Sequence, residues 1–96
     1  MSQSEQSSIQ VNDEGLYLKF NTIHLGNGVY QNVIRRGVED RGFFTTRLVD
    51  DRYSSDLVKM GSRFSRKNLY AVHNEFLAKA QEEQNLNTLK EWALEQ

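Results

Sequence analysis

Apolar positions recur at two different periods along the chain, and the change between them divides it into halves. Leu16-Tyr17-Leu18-Lys19-Phe20 alternates, which places Leu16, Leu18 and Phe20 on one face of a strand. Ile23 and Leu25 continue the alternation one step out of phase, and a bulge near Asn21-Thr22 would absorb the slip. Gly26-Asn27-Gly28 then supplies the left-handed positions of a tight hairpin. Residues 29–38 fit either period: Val29, Val33 and Ile34 are β-branched and favour a strand, whereas Tyr30, Val33 and Ile34 would share one helix face. Glu39 to Gly42 reads as a turn. Phe43 to Val49 reads as a strand that Asp50-Asp51 ends.

The second half has helical spacing. Ser54 or Ser55 can cap a short helix through Met60, broken at Gly61. Ser65 can cap a longer one, from Arg66 to about Gln84, with Leu69, Val72, Phe76 and Ala80 as its core stripe, widened by Tyr70, His73 and Leu77. Asn85-Leu86-Asn87 interrupts, and Thr88 to Glu95 forms a terminal helix with Leu89, Trp92 and Ala93 inward. Strands followed by helices predict an α+β fold: a three-stranded antiparallel meander with two to three helices packed on one face. Residues 1–8 carry Ser, Gln and Glu with little to bury and are expected to be a disordered tail, leaving residues 9–96 as a single domain.

Composition narrows the chemistry. With 96 residues the chain holds one core and little room for a deep substrate cavity, so a binding module is favoured over an enzyme. There is no Cys, which removes disulfides, thiolate catalysis and Cys-based zinc sites. Mean hydropathy is −0.70, and no run approaches the roughly 20 apolar residues of a membrane span. The first residues lack the charge and apolar pattern of a secretion signal, so a cytoplasmic location is expected. His24 and His73 have no second ligand at helical spacing, Gly26-x-Gly28 lacks the rest of a dinucleotide loop, and Gly61-Ser62 lacks a nucleophile elbow. The acidic pairs Glu39-Asp40 and Asp50-Asp51 fall where turns are expected. No catalytic residue, metal site or cofactor is expected.

Charge changes the picture more than composition does. The chain's net charge is −1, yet residues 29–67 carry +4, against −2 before them and −3 after. Seven of the nine central cations are Arg, whose planar fork suits bidentate contacts to carboxylate or phosphate. Arg35, Arg36, Arg41, Arg47 and Arg52 are the expected partner contacts, with Tyr30, Phe44 and Tyr53 as apolar anchors. Alternation places Phe43 and Phe44 on opposite faces, so one at most is free to serve. Trp92 is a candidate oligomer contact.

The function these residues predict is a small non-catalytic protein-binding module. It would be an inhibitor or adaptor, of the kind that phage or plasmid genes encode, occupying a surface of a larger protein or nucleoprotein complex. The alternative is a nucleic-acid binder using the same basic and aromatic residues. A third reading is a transcriptional regulator with a helix-turn-helix over residues 54–84, supported by Gly61 between two helices and by Arg63, Arg66 and Lys67 at the start of the second. A membrane partner is not expected, and a dimer remains open.

Overall fold

In a computed structural model the chain is described over residues 3–40 and 45–96, with the backbone alone at residue 40 and residues 45–52. It is an α+β fold of four antiparallel strands followed by two helices. The strands are β1 (Ser4–Gln10), β2 (Leu16–Gly26), β3 (Val29–Asp40) and β4 (Thr45–Lys59), paired in sequence order. The helices α1 (Arg66–Ala80) and α2 (Glu83–Glu95) pack on one face of the sheet. Its shortest extent is 19 Å, the depth of one sheet and one helix layer at about 10 Å each.

The meander follows from turns that are legible in the chain. Asn12 closes the β1–β2 connection: its Oδ1 accepts the backbone N–H of Glu14 at 2.9 Å and of Leu16 at 3.2 Å. The β2–β3 hairpin uses Gly26 (φ 112°), Asn27 (φ 53°) and Gly28 (φ 72°) as expected. Gly28 is also fixed by space, since a Cβ there would lie 2.5 Å from the Gly61 carbonyl oxygen.

The core lies between sheet and helices in two clusters. Leu18, Phe20 and Ile34 meet Ala80, Leu89 and Ala93 in one, and Tyr30 meets Leu69 and Val72 in the other. Phe20 receives the edge of Phe76, ring centroids 5.5 Å apart. Ser65 caps α1 as expected, accepting the Asn68 N–H at 3.3 Å. Of the stripe on α1, Leu69, Val72 and Ala80 are buried and Phe76 half-buried, while Tyr70 faces outward.

Six expectations are corrected. The expected tail over residues 1–8 is, from Ser4 onward, strand β1, so the sheet has four strands rather than three. No bulge occurs at Asn21-Thr22. Thr22 stays in phase with Leu18 and Phe20 and is fully buried, because its hydroxyl finds two polar partners inside. Ile23 and Leu25 therefore point to the open face, and the register shift comes at His24–Gly26. Residues 54–59 are strand, not helix, because pairing with residues 29–34 of β3 outweighs the local capping signal of Ser54 and Ser55. Asp50-Asp51 lies within β4, and the helix-turn-helix over 54–84 loses its first helix. Finally, the helices break at Gln81-Glu82 rather than at Asn85-Leu86-Asn87. Asn85 sits inside α2 and donates from Nδ2 to the Lys79 carbonyl at 2.9 Å, closing the end of α1 from the next helix.

Candidate functional site

The alternation of β3 divides the expected partner residues between two faces. Tyr30, Ile34 and Arg36 face the helices, opposite His24, Phe20 and Leu18 of β2. Arg35 faces the open side, opposite Lys19. Tyr30 is fully buried, with its hydroxyl donating to the Ser65 carbonyl at 3.3 Å. It is a core residue and not a surface anchor, a correction that follows from its place under the start of α1. Arg36 reaches the end of α2 and donates from Nη1 to the Gln96 carbonyl at 3.2 Å. A cation there complements the free carbonyls of the helix end.

Tyr53, Arg47 and Arg52 all lie on β4. Tyr53 is 43% exposed and turns its ring towards α2, where it meets Trp92 edge-on at 5.5 Å. Trp92, the candidate oligomer contact, is half-buried and packs against the first core cluster. The side chains of Arg47 and Arg52 lie outside the described residues, as do Arg41 and Phe44 altogether. The seven-Arg centre is thus not one surface: the described residues place one cation under a helix end and another on the open face.

A groove follows β4. The helices lie over β1, β2 and β3, and reach β4 through side chains such as Val58 and Tyr53. Between β4 and the helices are two adjoining cavities of about 210 and 320 Å³, which share Asp56, Phe76 and Lys79. Ile34, Val72 and Leu89 give them apolar walls. On its far side β4 has no strand neighbour among the described residues. Ser55, Asp56, Leu57 and Lys59 are exposed along it, Leu57 at 66%.

A buried polar chain, which sequence reasoning missed, crosses the opposite half of the helix layer. The Thr22 hydroxyl donates to Asn32 Oδ1 at 2.7 Å, and Thr22 Oγ1 lies 2.8 Å from His73 Nδ1. Because the hydroxyl proton is committed to Asn32, Nδ1 must donate, which leaves Nε2 to accept the Ser7 hydroxyl at 2.7 Å. His73 is 2% exposed. Burial pushes its pKa below the ordinary 6.5, with Glu5 on β1 pulling the other way. A Ser hydroxyl on a neutral imidazole is the pairing used in nucleophilic catalysis, but here the imidazole is held by a Thr hydroxyl in the core and neither large cavity is lined by Ser7 or His73. The chain fastens β1 to α1. The signal that could have found it was His73 on the helix core stripe beside an out-of-phase Thr22.

Among the described residues no three His, Asp or Glu side chains gather as a metal site, and no helix is long and apolar enough to cross a membrane. No family model matches the chain, and no curated protein or solved structure matches it.

Proposed function

We propose that this chain is a non-catalytic protein-binding module that engages a larger protein along the open side of β4, acting as an inhibitor or adaptor by occupying that protein's surface. The observation that carries the reading is the edge position of β4, which is 15 residues long, has no outer strand neighbour among the described residues and is bordered by an apolar groove. A free edge of that length offers a row of backbone donors and acceptors to an extended segment, and the groove offers space for its alternate side chains. Arg47, Arg52 and Tyr53, three of the expected contacts, belong to this strand.

The nucleic-acid alternative draws on the same Arg residues but needs successive aromatic faces for stacking. Tyr30 is in the core and Tyr53 presents its ring to Trp92, so two of the aromatic residues that suggested it are otherwise engaged.

The test places a photo-crosslinking side chain at Tyr53 or Leu57 on β4, and at Ser8 on β1 or Tyr70 on α1 as controls. One nuclease-resistant protein adduct from both β4 positions and from neither control is the expected result. Adducts of equal yield from all four positions, or adducts that nuclease removes, overturn it.

A further inference from the structure

The open face of the sheet contains a second, smaller cavity remote from the groove. It has a volume of about 90 Å³ and lies over the centre of β1, β2 and β3, with Ile23 and Val33 among its lining residues. Val33 is only 5% exposed although no helix covers this face. Lys19 and Arg35, directly opposite one another in the β2–β3 register, both line it; Arg35 brings a positive charge, while the Lys19 ammonium lies 5.5 Å from the centroid of the Tyr17 ring. No carboxylate lines the cavity among the described residues. Lys19 is held in place: its stem lies over Gly37, where a Cβ would come within 2.8 Å of Lys19 Cε.

Two buried polar atoms remain unsatisfied at this site, and they are of opposite kind. Among the described residues Arg35 Nε is a donor with no acceptor, and Asn21 Oδ1 is an acceptor with no donor. Each costs free energy while it stays unpaired. Water could serve both, and at about 30 Å³ per molecule the cavity would hold about three. Water leaves the Arg35 guanidinium without a counter-charge, however. A simple anion such as sulfate would compensate the charge and accept from Arg35, but it has no proton for Asn21. Hydrogen phosphate meets all three demands at once. Its charged oxygens accept from Arg35, and the P–OH that it keeps at neutral pH donates to Asn21 Oδ1.

We propose that the cavity formed by Asn21, Lys19 and Arg35 on the open sheet face is a binding site for inorganic hydrogen phosphate. Gln6 and Gln31 complete the rim, and Gln31 is fixed by donating from Nε2 to the Ser55 hydroxyl at 2.8 Å. The site shares no lining residue with the groove beside β4, so it stands independently of the protein-binding reading.

The test is a titration of the intact chain with inorganic phosphate at constant ionic strength, read by backbone amide shifts and by the Arg35 Nε–H resonance. A parallel titration uses sulfate. Saturable shifts confined to residues 19–23 and 31–35, slowed exchange of the Arg35 Nε–H, and binding of phosphate about tenfold tighter than sulfate are expected, the factor reflecting one hydrogen bond. Arg35→Gln is expected to weaken phosphate by at least about tenfold while keeping a dispersed amide spectrum, with Asn21→Val as the second variant should the first unfold. Shifts that rise linearly without saturating, equal affinity for sulfate, or unchanged binding in a folded variant would overturn the proposal.

Discussion

The two edges of the sheet are built on opposite principles. β1 is short, polar and fastened: one side pairs with β2, and Ser7 meets the buried His73 of α1. β4 is about twice as long, and on its outer side it has no strand neighbour among the described residues. Natural sheets blunt exposed edges, and β4 shows some of those devices: a register shift near Arg35, the charged Asp56 towards the helix side, and Lys59 at its end. Those features discourage indiscriminate pairing without removing the edge. The contrast teaches that one edge serves the stability of the fold, while the other is left available. Disrupting the first should cost stability, and disrupting the second should cost binding.

The largest effect is expected at the fastened edge. His73→Ala empties a buried imidazole, strands the Ser7 hydroxyl and removes the donor to Thr22 Oγ1, which together should destabilise the chain by about 3 kcal/mol. Urea unfolding measures the loss, and hydrogen exchange should find the β1 amides opening first. A loss below about 1 kcal/mol, or β1 no faster than β3, would mean that the edge is held by its backbone pairing alone.

That fastening explains why the amino-terminal strand was hard to read while the elements beside it were not. The Gly26-Asn27-Gly28 hairpin, the Ser65 cap and the spacing of Leu69, Val72 and Ala80 are local signals, and all three are found in the structure. β1 has little apolar content beyond Ile9, and its inner face is held by a hydroxyl–imidazole bond to a residue 66 positions away. Hydrophobic periodicity cannot report such a contact. Residues 54–59 failed for the complementary reason: Ser54-Ser55-Asp56 is a sound local helix start, overridden by pairing with β3. The candidate site was legible only in part. Charge counting located the basic middle of the chain, but strand alternation sends Arg35 and Arg36 to opposite faces and sinks Tyr30 into the core.

Titration sharpens the comparison between the edges. His73 ordinarily titrates near 6.5, and its burial lowers that value in the folded chain. Between 6.5 and the lower folded value, the unfolded chain binds the extra proton. The contribution is therefore complete above pH 6.5 and is lost as pH falls below it towards the folded value. Stability measured by urea between pH 7.5 and 5 should decline on the acidic side, with β1 exchange accelerating first. His73→Gln lowers the starting stability but should flatten this part of the profile. An unchanged slope in that variant would assign the pH dependence to groups other than His73.

A smaller effect is expected where the helices join. Asn85→Ala removes the donor to the Lys79 carbonyl and should cost about 1 kcal/mol, since the end of α1 is exposed enough for water to replace it. The change acts on the layer that covers β1 to β3, so it should shift the exchange of β1 and leave the far side of β4 as it was. Equal acceleration along both edges would show that the helix layer supports β4 as much as β1.

The smallest effect on stability belongs to the available edge, and it is the most informative about function. Leu57 is 66% exposed on the open face of β4, so Leu57→Asp should change unfolding free energy by no more than about 0.5 kcal/mol. The same change puts a carboxylate on an edge that a partner strand would have to cover and desolvate, at a cost of one to a few kcal/mol. Binding to the crosslinked partner should therefore weaken by about tenfold or more while the urea midpoint stays in place. The separation of those two readings is what distinguishes β4 from β1, where loss of His73 would lower both together. If Leu57→Asp left binding intact, the partner would have to approach through the groove beside Tyr53 and Phe76 instead, and Tyr53→Ala would become the variant that separates stability from association.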